Sequence, residues 1–348
     1  MNSGKSIQTT ISYAVFVLSG FLIFSPLHKS GNLPLSLVCS VITSAGMTLF
    51  TARIFSLKSG SSGNHSISKV TLSISASILS LFSVLMLLTE VIKDVAYIAN
   101  RGVSLFYYTV TALSLLFVSF CLCTSSSKGI YRFCLLSIIP FIILFMTMFF
   151  ALSTTKSVVF GFSQTDKSLT EPILTGIKSG LFFTADSVVF CSGFRDYIKT
   201  NSGTFPKKQF FTGFLVAYTY IIIYNIFTAL IFGRLTSEIS DPDYALIKLI
   251  RGIDLTEIIS AVRIVSFLIK SSLYIYLSSA NLKNCNAFDK FKEKNVTSFL
   301  YLLLPATFLF LAFFDKSLEY GAFQHMIYPI TFLMSFCFFL SAALFQKK

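Results

Sequence analysis

Apolar and polar positions in this chain come in blocks. Runs of about twenty mostly apolar residues, the length at which a helix crosses ~30 Å of hydrocarbon, recur from one end to the other with short polar clusters between them. They predict ten helices, at 8–27, 35–56, 70–96, 103–123, 130–152, 175–194, 208–233, 257–281, 296–314 and 325–346. No intervening stretch is long enough for a soluble domain. The chain therefore reads as one polytopic, all-α integral membrane domain over 1–348. The opening "MNSGKSIQTT" holds a single lysine, and no small-residue cleavage site follows the first run, so that run is read as a retained helix.

Composition supports this reading, with 54% hydrophobic and only 12% charged residues among 348. The net charge of +13 is spread over short loops. With the N-terminus in the cytoplasm, sixteen lysines and arginines fall on the cytoplasmic side and nine on the other, so the positive-inside rule places both termini in the cytoplasm. The basic residues then face anionic lipid headgroups, and no nucleic-acid motif accompanies them. Cys39, Cys121, Cys123, Cys134, Cys191, Cys285 and Cys337 lie in or beside apolar runs without metal spacing and read as small packing residues.

Charges inside the runs carry more information. A charge at the bilayer centre costs roughly 2.5 to 3.5 kcal/mol on the lenient insertion scale, so it belongs against protein or a water-filled cavity. Asp186 in the sixth run and Arg263 and Lys270 in the eighth lie deep, whereas Glu90, Asp94 and Lys178 lie near predicted ends and within reach of headgroups. Arg263 and Lys270 are two helical turns apart, and Ser266, Ser271, Ser272 and Tyr274 add to the polarity of that helix. Its polar face is expected to point into the bundle.

Asp186 sits in "TADS", between "LTGIKSG" and "CSG", where small polar residues weaken a helix. A helix that loosens there exposes peptide groups that a ligand cavity can use and lipid does not tolerate. The first run offers a similar place at Ser19 and Gly20, before Pro26. These two runs open the two halves of a ten-helix chain, and because five is odd the halves have inverted topology. The expected architecture is thus a five-plus-five inverted repeat, 1–152 and 153–348, with discontinuous first and sixth helices as in LeuT-like secondary transporters. Residues expected to bind a substrate near the midplane are Ser19, Gly20, Phe21, Phe183, Thr184, Ala185, Asp186 and Ser187. Asp186 would pair with a ligand amine, with Lys270, or with both in turn. Outside the membrane, "SDPDYALIKLIRGID" at 240–254 suits a short amphipathic helix, either lying over a vestibule with Tyr244 and Leu249 as gate candidates or resting on the bilayer surface.

Four stretches are similar to the spore germination permeases, the B-type subunits of germinant receptors within the amino acid/polyamine/organocation transporter superfamily. They are "GFLIFSPLHKSGNLPLSLV" at 20–38, "EPILTGIKSGLFFTADSVVFCSGFRDYIK" at 171–199, "ALIFGRLTSEISDPDYALIKLIRGI" at 229–253 and "SFLIKSSLYIYLSSANL" at 266–282. The resemblance, over essentially the whole chain, implies recognition of a small germinant such as an amino acid. It also implies assembly with A-type and C-type subunits in an inner membrane of the cell or spore. In related sodium-coupled transporters a cation site lies between the first and eighth helices. The resemblance implies that Lys270, with Ser271 beside it, stands in for that cation and braces an unwound first helix at Ser19 and Gly20.

A stand-alone amino acid transporter would use the same architecture. An intramembrane enzyme is much less favoured: His28, His65 and His325 fall in predicted loops, and neither a paired-aspartate signature nor a metalloprotease motif is present. No cofactor or metal is expected.

Overall fold

The computed structural model describes residues 2–23, 32–56, 80, 84, 87, 88, 91, 105–123, 127–154, 169–185, 187, 190, 191, 207–233, 239, 245 and 256–283. Among these residues every regular element is a helix: α1 Asn2–Ile23, α2 Leu33–Ser56, α3 Leu105–Cys123, α4 Ser127–Leu136, α5 Ile138–Thr154, α6 Thr170–Ala185, α7 Lys207–Phe232 and α8 Thr256–Lys283. α3 is the fourth predicted helix, α4 and α5 together are the fifth, and the first, second, sixth, seventh and eighth match α1, α2, α6, α7 and α8. The predicted third, ninth and tenth helices lie outside the described residues, apart from isolated helical positions such as Leu87 and Val91 in the third. Four described stretches, Leu33–Arg53, Arg132–Ser153, Lys207–Phe232 and Ile259–Ser279, are long and apolar enough to cross a membrane. The described residues are those of an all-helical membrane protein.

Local chemistry explains the helix boundaries. Asn32 caps α2, its Oδ1 accepting from the Leu35 N–H at 3.2 Å, and Pro34 occupies the first turn, where an N–H would go unused. α6 opens on Glu171 and Pro172 for comparable reasons. The predicted helix at 130–152 is divided at Ser137. Pro140 has no N–H to offer the Leu136 carbonyl, and the Ser137 hydroxyl takes up the Phe133 carbonyl at 2.6 Å. Gly233, at φ 54°, ends α7 in the left-handed conformation that glycine adopts without steric cost.

Between helices, close packing replaces the hydrophobic effect, because lipid tails are as apolar as the side chains they would release. α2 and α6 meet through small residues. Ser36, Ser40, Ser44 and Thr48 repeat every four residues down one face of α2, all fully enclosed. Facing them, Gly176 and Gly180 come so near that a Cβ on Gly176 would lie 2.7 Å from Cys39 Cβ, and one on Gly180 would lie 2.7 Å from the Ser40 carbonyl. α1 and α7 meet in the same manner, since a Cβ on Gly213 would fall 2.6 Å from the Thr10 carbonyl.

These contacts also give directions. Gly176 meets Ser36 and Gly180 meets Ser40, so α2 and α6 are parallel. Tyr13 meets Phe210 and Phe21 meets Tyr224, so α1 and α7 are parallel as well. Thr48 and Ser187 lie level with Tyr13, whereas Ser44 and Gly180 lie level with Tyr218, further along the direction of α1. The α2/α6 pair therefore runs opposite to the α1/α7 pair. α8 is antiparallel to α1, because Phe16 meets Tyr274 and Gly20 meets Lys270. It is the most enclosed of the four described spans, 72% buried against 28% for Leu33–Arg53 of α2 and for Arg132–Ser153 across α4 and α5. α2 and α5 instead expose Val38, Ile42, Leu49, Ile142, Met146 and Phe149, as lipid contact requires.

The glycine contacts generate a paired expectation. Gly180→Ala forces α2 from α6 and is expected to lower stability by about 1 to 3 kcal/mol. Gly46→Ala on the outer face of α2, where a Cβ meets nothing within 4 Å, is expected to be neutral or stabilising by up to about 1 kcal/mol. Thermal unfolding of both variants in detergent checks the contrast.

Candidate functional site

α1 presents two polar surfaces to the rest of the bundle. The first is formed at Gly20. Lys270, 1% exposed, extends from α8 until its Nζ touches the face of Gly20, where any larger residue would collide with it: an added Cβ would lie 3.5 Å from Cε and overlap Nζ. The ammonium also sits 4.9 Å from the ring centroid of Phe16 and 5.8 Å from that of Tyr274. Two aromatic faces attract a cation electrostatically, by about 0.5 to 2 kcal/mol each according to how dry the site is. Phe16, Tyr274, Tyr13 and Phe190 are fully buried and pack against one another at centroid distances of 5.3 to 5.5 Å. A positive charge is thus held inside the membrane domain in a dry aromatic seat that one missing side chain opens.

The second surface is a set of hydroxyls. Tyr13 on α1 shares a hydrogen bond of 2.6 Å with Ser187, just beyond α6, and one of 3.5 Å with Thr48 on α2. One turn away, the Ser44 hydroxyl bonds both to the Gly180 carbonyl, at 3.0 Å, and to the Tyr218 hydroxyl of α7. Four helices are tied through groups that lipid would leave unsatisfied. The cluster has acceptors and donors but no carboxylate among its described members.

The expected site residues divide between these surfaces. Gly20 meets Lys270 as anticipated, while Ser187 joins the hydroxyl cluster. Ser271 faces away from α1, sharing a 2.6 Å hydrogen bond with Ser119 of α3 and donating to the Phe267 carbonyl. Phe21 packs on the Tyr224 ring of α7 at 5.1 Å. Phe183, Thr184 and Ala185 are in the last turn of α6; their side chains, and all of Asp186, Tyr244 and Leu249, lie outside the described residues.

One expectation is corrected. The first helix does not come apart at Ser19 and Gly20, because α1 is continuous from Asn2 to Ile23. The Ser19 hydroxyl donates to the Val15 carbonyl of its own helix at 2.7 Å, reinforcing the turn. Gly20 serves close approach of a neighbour, a use that leaves its helical hydrogen bonding intact. Lys270 therefore braces a wound helix.

Sequence reasoning passed over Tyr13, Phe16, Thr48, Ser44 and Tyr218. A signal was present in the spacing. Tyr13, Phe16 and Gly20 recur at three- and four-residue intervals on α1, and Ser36, Ser40, Ser44 and Thr48 repeat every four residues in an otherwise apolar helix. Among the described residues no group of three or more His, Cys, Asp or Glu side chains is placed to hold a metal ion.

No family model matches this chain, and no curated protein shows significant similarity to it.

The hydroxyl cluster yields a measurable coupling. Tyr13→Phe leaves Ser187 without its partner and is expected to cost about 1 to 3 kcal/mol. Combined with Ser187→Ala, the loss should be less than additive by about 0.5 to 1.5 kcal/mol in a double-mutant cycle of unfolding midpoints. Additive losses would mean that the two hydroxyls do not interact.

Proposed function

We propose that this protein is a permease-like membrane subunit of a spore germinant receptor. In this reading it binds a small germinant, an amino acid by class, near the bilayer midplane and signals or conducts across the membrane. It works without catalysis, beside A-type and C-type subunits and anionic lipids in an inner membrane, with both termini cytoplasmic. The observation that carries the reading is the Lys270 ammonium against Gly20, where α1 and α8 cross. An intramembrane cation held on a helix that a ligand can also contact is a device for coupling occupancy to helix position.

The helix directions support the ten-span, five-plus-five architecture proposed for the whole chain. An inverted repeat relates the first helix to the sixth and the second to the seventh, each to one of opposite direction. Here α1 opposes the α6 segment through Tyr13 and Ser187, and α2 opposes α7 through Ser44 and Tyr218. The same operation exchanges the two glycine-mediated parallel pairs, α1 with α7 and α6 with α2. The ligand would lie between α1, the end of α6 and α8, with Asp186 offering a carboxylate to its amine and a loosened α6 offering peptide groups.

The proposal is tested with two substitutions that act on one contact. Lys270→Met removes the ammonium, and Gly20→Ala displaces the tip of a flexible side chain, so the fold should survive both. Each is expected to raise the amino acid concentration for half-maximal response by about tenfold or more, and the double variant should be no worse than the worse single one. Ligand-dependent thermal shifts of the purified chain and germination of spores carrying the variants both read this. Full response from normally expressed Lys270→Met would overturn the proposal. Amino acid uptake by proteoliposomes holding this chain alone would assign it instead to stand-alone transport.

A further inference from the structure

The interface of α1 with α8 is built in rungs. The antiparallel register that sets Gly20 against Lys270 and Phe16 against Tyr274 sets Ser12 level with Ser278, one further turn along each helix. Ser12 and Ser278 are each 1% exposed. From the end of the bundle where α1 starts, this seam leads over about 12 Å of helix to the buried ammonium. Alanine at both positions would let the helices approach as closely without enclosing hydroxyls, which is costly in a dry site. Serine is the better choice where water reaches the seam.

α4 covers that end of the seam on one side. It packs on both α1 and α8. Among its described side chains Cys134 alone is fully buried, and its thiol meets the Ser12 hydroxyl. Arg132 and Leu136 are exposed. Little else fixes the segment. Its 10 residues are too few for a helix that is stable by itself, so its place depends on packing against α1 and α8. Its continuation into α5 is interrupted, because the Leu136 carbonyl finds no N–H at Pro140, and such a break is where a helix bends.

We propose that α4 is a lid hinged at Ser137, and that swinging it off α1 and α8 admits water to the seam at Ser12 and Ser278, on the way to Lys270. Closed, the lid keeps the ammonium in its dry aromatic seat; open, it connects that seat with one end of the bundle. The device does not rest on the germinant reading, since it controls access to Lys270 whatever the bundle binds.

The test follows alkylation of the purified full-length chain by N-ethylmaleimide, with the labelled cysteines located by peptide mass spectrometry. Cys134 and Cys191 are both fully buried, but only Cys134 is on the lid. After correction for the rate of each thiol in the unfolded chain, Cys134 is expected to react about tenfold or more faster than Cys191 through local opening. Pro140→Ala, which restores the missing N–H, should slow Cys134 by about tenfold and leave Cys191 unchanged. A thiol placed under the lid by Ser278→Cys should be labelled with the same dependence on Pro140. Cys134 reacting no faster than Cys191 in the unsubstituted chain would overturn the proposal, and that comparison holds whether or not the variants fold. So would labelling of Cys134 that is unaltered in a folded Pro140→Ala variant.

Discussion

A lysine ammonium cannot be left in hydrocarbon, and much of this bundle is arranged around that constraint. Lys270 needs a position where protein surrounds it, and the face of Gly20 provides one because glycine has no side chain to occupy the space. The requirement extends outward. For the ammonium to touch α1, α1 and α8 must cross closely, and the rings of Phe16 and Tyr274 must present their faces to it. Phe16 is in turn packed against Phe190, beyond the end of α6, and Phe190 against Tyr13, which packs on Phe210 of α7.

Polar groups elsewhere obey the same logic at lower stakes. Several hydroxyls on α5 and α8 are returned to carbonyls of their own helix, as at Ser272, Ser279 and Thr147. Those in the middle of the bundle join helices, as Tyr13, Ser187, Ser44 and Tyr218 do. Glycine and serine at four-residue spacing permit backbones to approach closely enough for such short groups to meet. A packed membrane core of this type is specific because it is built from small residues, where each position tolerates little added volume.

Much of this was legible in the chain. Blocks of apolar residues located every described helix to within several residues, because length and composition alone decide what spans a bilayer. The depth of Lys270 in its run pointed to an interior role, and the structure buries it. What sequence could not show was the use made of Gly20. Glycine in a membrane helix permits either unwinding or close approach, and local composition does not distinguish these; the neighbour, 250 positions away in the chain, decides. Ser271 illustrates a similar limit, since one step round the helix from Lys270 turns it to α3 instead of α1. The split at Ser137 was signalled by Pro140, but the apolar run on both sides concealed it.

The central claim is that a buried ammonium on α8 rests on a wound α1 at its glycine. An experimental density map of the purified chain at side-chain resolution tests it most directly. The account predicts continuous density for α1 through Ser19 and Gly20, with the Lys270 side chain crossing to the glycine face beside the Phe16 ring. Density that placed Lys270 toward lipid, or Gly20 on the outer surface of the bundle, would contradict it.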